Sequence, residues 1–202
     1  MSGSEPEARP VSEAALVNPY FSLFTALASA SDEIRLSARK AAIWAYAWAV
    51  PTDAVARRIA ELSPILEVGA GTGYWAWLLA QAGALVEAVD VAAGQAPTWL
   101  PTGVEAGIGN LNRNAPARAE ARRSGPDPRA LLLCWPPYES PMASDTLRQY
   151  TGRHVIYVGE WRGRTADAVF HDALDRDWVL EGEHEIPCWP GFRDRVFIFK
   201  RV

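Results

Sequence analysis

Few cysteines, few histidines, no basic excess and no long apolar run narrow what this 202-residue chain can be. Its two cysteines, Cys134 and Cys188, stand in unrelated contexts, and the histidines 154, 171 and 184 do not complete a ligand set. No metal site is therefore expected, and reduced thiols in the cytoplasm are the default. Twenty Lys and Arg stand against 24 Asp and Glu, a formal charge of -4. Proteins that grip a nucleic-acid backbone usually carry the opposite balance. Arg113, Arg118, Arg122, Arg123 and Arg129 do cluster, but Glu120 and Asp127 interrupt them, as on a solvated face. The longest apolar stretch, Ala41 to Val50, is half a bilayer span and ends at Pro51. Residues 1–13 are polar, lack the apolar core of a signal peptide and read as a disordered tail.

What the chain has in excess is tryptophan, nine of them. Their number suggests a core or pocket walled by large flat side chains. The length fits one α/β domain with a modest N-terminal extension.

Three helices are expected first, over Asn18–Ala30, from an N-cap at Ser31 to just before Pro51, and over Thr52–Leu62. Beyond Pro64 the period changes. Ile65–Val68 reads as a buried strand, Tyr74–Ala82 as a helix closed by Gly83, and Leu85–Val91 as a second strand. This is a minimal parallel crossover. Further strands are expected at Val104–Ile108, Ala130–Cys134 and His154–Val158, and further helices at Ala115–Arg123, Ser144–Tyr150 and Thr165–Arg176. No helix fits between Trp178–Ile186 and Arg195–Arg201, so these two form an antiparallel hairpin. The expected organisation is a tail (1–13), a helical cap (14–63) and a Rossmann-like domain (64–202).

Between the first strand and its helix lies Glu67-Val68-Gly69-Ala70-Gly71-Thr72-Gly73. Glycines at the end of a parallel strand let the backbone turn sharply and approach a ligand closely. A nucleotide-like ligand is the natural occupant. Glu67 would repel a pyrophosphate but suits the ammonium and sulfonium charges of S-adenosylmethionine (SAM). Asp90, at the tip of the next strand, can accept both ribose hydroxyls.

ILEVGAGTGYW followed by LVEAVD resembles motifs I and II of class I SAM-dependent methyltransferases. The resemblance implies a seven-stranded, mostly parallel sheet whose last strand is antiparallel, with SAM as cofactor. It places Glu67, Gly69, Ala70, Gly71 and Gly73 in the methionine-side cradle. Asp90 would hold the ribose with Val91 beside it, and Cys134 and Trp135 would border the cofactor.

Leu133 to Tyr138, LCWPPY, looks like the Asp/Asn/Ser-Pro-Pro-Tyr motif of amine methyltransferases. Trp135 stands where those enzymes carry a polar residue, and its side chain cannot accept a hydrogen bond. What survives is a rigid turn presenting Trp135, Pro136 and Tyr138 as substrate walls. Glu160 and Trp161 follow the fifth strand, whose end faces the ligand crevice in open α/β sheets. Glu160 and Tyr138 are therefore the candidate catalytic side chains, and Trp161 a further substrate wall. Trp48 either covers the site from above or, with Trp44, packs its helix onto the sheet.

Three functions fit these residues: transfer of a methyl group to an O or N acceptor on a small molecule, methylation of a nucleic acid, and SAM binding without catalysis. A dinucleotide oxidoreductase is a fourth, weaker fit, because a lone glycine loop serves both cofactors.

Overall fold

A computed structural model describes residues 15–90, 99 and 126–202, together with the backbone of 106–108. The expected tail, Val91, the 115–123 helix and the arginines from Arg113 to Arg123 lie outside the described residues.

Seven strands form one mixed sheet in the order β3-β2-β1-β4-β5-β7-β6. They are β1 (Ile65–Val68), β2 (Val86–Asp90), β3 (Ala106–Ile108), β4 (Ala130–Cys134), β5 (His154–Gly159), β6 (Trp178–Glu185) and β7 (Arg195–Arg201). β1 to β5 pair in parallel, whereas β7 runs antiparallel to both its neighbours. The fold is the Rossmann-like arrangement expected, with its closing hairpin. Because the chain moves outward from β1 through β2 to β3 and then returns to β4, the strand order reverses between β1 and β4. Crevices at such a reversal open at the carboxyl ends of the strands.

Each face of the sheet is covered. On one, α3 (Asp53–Ala60) and α4 (Tyr74–Gln81) bury Val55, Ile59, Trp75 and Leu78 against Ile65, Leu132, Ile156 and Ile198. On the other, α5 (Met142–Gln149) and α6 (Ala168–Asp177) pack Leu147, Phe170 and Leu174 against Leu66, Leu133, Tyr157 and Phe197. β1, β4 as far as Leu133 and the middle of β5 are buried, which explains why their sequences show no alternation.

The N-terminal elements α1 (Pro19–Ala26) and α2 (Asp32–Ala45) close over the carboxyl end of β1 through a third aromatic cluster, which includes Tyr20, Tyr74 and Trp189. Ser31 caps α2 as expected, accepting from the Ile34 amide at 3.4 Å. The helix nevertheless stops at Ala45, five residues earlier than its apolar period suggests. Tyr46 leaves helical geometry (φ -128°, ψ -89°) to stack on Tyr20 at 4.9 Å and on Trp99 at 5.5 Å. The freed carbonyls find partners: Trp99 Nε1 donates to Ala45 O at 2.6 Å, and Thr72 Oγ1 donates to Tyr46 O. Tertiary stacking overrides local helix preference here.

Asn18 locks this cap to the domain. Its Nδ2 donates to Pro51 O and Asp53 Oδ1, each at 3.0 Å, and its Oδ1 accepts from the Tyr74 hydroxyl at 2.8 Å and the Phe21 amide at 3.1 Å. Asn18→Ala strips these buried partners at once. It is expected to cost about 2–3 kcal/mol in urea unfolding, and a loss under 0.5 kcal/mol would show that the cap is not held this way.

Candidate functional site

The loop after β1 takes its shape from three left-handed glycines, Gly69 (φ 78°), Gly71 (φ 54°) and Gly73 (φ 78°). Side chains with a Cβ rarely adopt such angles. Gly71 N–H donates to Asp90 Oδ2 at 2.8 Å, so the tip of β2 and the glycine turn are one hydrogen-bonded unit.

Two adjoining cavities open at this end of the sheet. The first, of about 310 Å³, is lined by Glu67, Gly69, Ala70, Gly71, Asp90 and Cys134 beneath Trp44, Tyr46 and Trp48. The second, of about 620 Å³, runs along Trp135, Pro136, Pro137 and Met142. Gly69, Gly71, Asp90, Cys134 and Trp48 line both. Volumes of this size suit small ligands. No Lys or Arg occurs among the described lining residues.

Glu67 is the dominant electrostatic feature. It is only 1% exposed, and its Oε2 has no hydrogen-bond partner. Burial drives its pKa to about 8, against a backbone hydrogen bond from Ala76 and with a further push from the Asp90 charge. Cys134, also raised by burial and by Glu67, stays a thiol.

Trp135 occupies the turn after β4 in left-handed geometry (φ 52°), which is uncommon for a residue of its size. Three contacts hold it. Its amide donates to Val158 O at 2.8 Å, its Nε1 donates to Asp194 Oδ1 at 2.8 Å, and its ring lies parallel to Trp48 at 5.0 Å and 15°. Trp44 and Trp48 do not pack the helix onto the sheet: they are 74% and 45% exposed and roof the first cavity.

The structure thus gathers Glu67, Gly69, Ala70, Gly71, Asp90, Cys134, Trp135, Pro136 and Trp48. Gly73 shapes the turn as the N-cap of α4 without lining a cavity.

Three expected residues fall elsewhere. Tyr138 is 58% exposed and beside Glu139 rather than in either cavity. Trp161 packs across the sheet's other side on Phe199 and Phe197, both at 5.5 Å, and on His171 at 4.8 Å. Glu160 is buried and fully engaged. Arg164 grips it through Nε and Nη2, both at 2.9 Å, and the Arg193 amide donates to it at 2.8 Å. Burial pushes its carboxyl up, but these hydrogen bonds outweigh that and leave it below the usual range. Glu160 therefore ties the β5 turn to the loop before β7 and is not placed as an acid or base.

Two residues that sequence reasoning did not single out complete the picture. Asp194 is buried, orients Trp135 and is raised to about 6 by burial. Arg39 on α2 lies beside the Trp48–Trp135 pair. Arg39 falls in a helix with Arg35 and Lys40, where nothing in the sequence separates an inward cation from outward ones.

No protein-family model matches the chain, and no curated protein matches it in sequence. Solved structures do align with it. One is a protein from Streptococcus mutans described as a SAM-dependent methyltransferase, at 13% identity and TM-score 0.48 over 73% of this chain and 48% of that one. Another, described as a methyltransferase and complexed with SAH, aligns at 11% identity and TM-score 0.48 with the same coverage. Magnesium protoporphyrin IX methyltransferase from Synechocystis PCC 6803, with bound SAM, aligns at 17% identity and TM-score 0.47 over 74% and 77%. The chain thus spans about half the length of the first two. Likeness at this level carries no chemistry, which rests on the side chains above.

Two outcomes follow. Because the folded Glu67 holds its proton up to about pH 8 and the unfolded residue loses it near 4.5, the stability it contributes is complete below 4.5 and is lost as pH rises to 8. Glu67→Gln should abolish a decline of about 3–6 kcal/mol across that window; equal pH profiles for the two proteins in urea melts would refute the assignment. Glu160→Ala should lower stability by about 1–3 kcal/mol, since Arg164 is half exposed. It should leave ligand affinity at the glycine loop within twofold, and a large affinity loss in calorimetry would restore Glu160 to the site.

Proposed function

We infer that this protein is a SAM-dependent methyltransferase acting on an O or N acceptor of a small molecule, with residues 64–202 as the catalytic domain and 14–63 as its cover. One observation carries the reading: a buried carboxylate oxygen without a partner, on Glu67, at the wall of a cavity edged by left-handed glycines and Asp90. A buried charge needs a counter-charge or a proton. The ammonium and sulfonium of SAM supply positive charge to that wall, whereas a dinucleotide would set its pyrophosphate against it. The residues present therefore fit SAM.

When bound, SAM supplies a methyl group already activated on a sulfonium. Glu67 would hold its amino-acid end, Gly69 and Gly71 would let the backbone approach, and Asp90 would accept from the ribose. Trp135 and Pro136 wall the adjoining space for a flat acceptor, where Trp48 lies on the Trp135 ring. Holding donor and acceptor in line can supply roughly 7–11 kcal/mol, so this chain's residues need only orient the acceptor and keep water out. The absence of cations from the described lining supports a small molecule over a polyanion.

Calorimetric titration with SAM tests this. Asp90→Ala removes a charged hydrogen-bond partner worth about 1.5–3 kcal/mol and should weaken binding roughly tenfold or more. Wild-type affinity should also rise between pH 6 and 8 as Glu67 gives up its proton, and Glu67→Gln should lose that part of the pH dependence. No SAM binding, or unchanged affinity in Asp90→Ala, would overturn the reading.

A further inference from the structure

Arg39 is a buried cation without hydrogen bonds to match. It is 9% exposed, and its Nε and Nη2 have no partner. Its guanidinium lies 3.8 Å from the centroid of Phe192 and 5.4 and 5.5 Å from those of Trp48 and Trp135. Since those two indoles are 5.0 Å apart and nearly parallel, near-equal distances put the guanidinium beside their stack, not between the rings. Burial depresses its pKa, partly offset by the charge of Asp194. Aromatic contact recovers part of the lost hydration. It leaves two donor nitrogens unused, a costly state for a buried charge.

The Trp48–Trp135 stack is asymmetric. Trp135 is fixed by its amide, by Asp194 and by Phe192 at 5.9 Å. Trp48 is nearly half exposed and sits in the irregular link between α2 and α3, after the helix has ended at Ala45. Trp48 also lines both cavities, so it stands between the cofactor side and the Pro-Pro turn. A flat ring of indole size in its place would lie on the held face of Trp135. An anionic group on the rim of that ring would come within ion-pair reach of Arg39.

We propose that the acceptor is a planar aromatic carboxylate that takes the place of Trp48 against Trp135 and gives Arg39 the anionic partner it lacks. Asp194 keeps Trp135 in position for that stacking. Carboxylate and guanidinium form bidentate, charge-assisted pairs, so the anion orients the ring while the fixed indole sets its plane. The proposal rests on the methyltransferase reading for the reaction, but the binding site it defines stands on Arg39, Trp48 and Trp135.

Indole-3-carboxylate and its neutral isostere indole-3-carboxamide are the probes, titrated by calorimetry into the full chain with and without SAH. The carboxylate should bind at least tenfold more tightly than the amide in both states. Arg39→Met, which keeps the stem and removes the charge, should bring the two within twofold. Trp48→Ala should tighten both ligands by removing the competing ring. Equal wild-type affinities would overturn the proposal, and this comparison does not depend on whether the Arg39 variant folds. Discrimination that survives Arg39→Met would also overturn it, as would weaker binding in Trp48→Ala, which would mean that ligands stack on Trp48 instead of replacing it. Should SAH itself fail to bind, the cofactor reading falls, while the titration without SAH still decides this site.

Discussion

A carboxylate kept out of water at the end of the first strand governs this molecule. Glu67 belongs to a fully buried strand, one of its carboxylate oxygens has no partner, and the residue lines the cavity beneath the glycine turn. Alone it is driven toward the neutral acid. Beside a ligand cation it becomes the anion that such a ligand needs. Folding and binding are therefore linked through one proton: the feature that costs stability in the empty protein at neutral pH confers preference for a positively charged occupant. Asp90 sharpens this by placing a second carboxylate at the same rim, held there by the Gly71 amide. Two acids converging on left-handed glycines disfavour a phosphate-bearing ligand at the glycine turn itself.

The cap over this rim is built by breaking a helix. The apolar period of α2 runs on to Pro51, yet the chain departs at Tyr46, because stacking on Tyr20 and Trp99 and new partners for two end carbonyls outweigh another turn of helix. That departure frees Trp48 from the helical stripe and lays it on Trp135. Had the helix continued, Trp48 would have remained on the stripe with Ala41 and Ala45. The Trp48 wall of the cavity thus originates in a local failure of helix propensity.

Sheet and glycine turn were legible because their signals are local: unbroken apolar runs for buried strands, glycines where φ must be positive, and acids at strand ends. Helix boundaries were less so, as α2 shows, since long-range aromatic contacts set them. The lining of the second cavity was read only in part. Trp135 and Pro136 follow β4 directly and could be placed by topology. Glu160 and Trp161 follow β5 in the same manner, and the rule that strand ends face the crevice misplaced both. The loop before β7 rises beside this strand end and takes Glu160 into its own hydrogen bonds, while Trp161 turns to the opposite face. Arg39 and Asp194 lie 155 residues apart in sequence, and only the folded chain brings them to one indole.

Charge balance around that indole explains why a buried guanidinium is tolerated. Arg164 is neutralised directly by Glu160, leaving Arg39 and Asp194 as opposite charges without a direct hydrogen bond between them. Trp135 touches both, donating its N–H to Asp194 while its ring centroid lies 5.5 Å from the Arg39 guanidinium. A direct Arg39–Asp194 pair would satisfy both groups and close the site. The bond from Trp135 instead keeps Asp194 committed to orienting that ring, and Arg39 keeps unpartnered nitrogens. An arrangement in which the cation is stabilised by rings and by a charge at a distance, but not saturated with acceptors, is suited to exchanging one weak neighbour, the exposed Trp48, for a stronger anionic one.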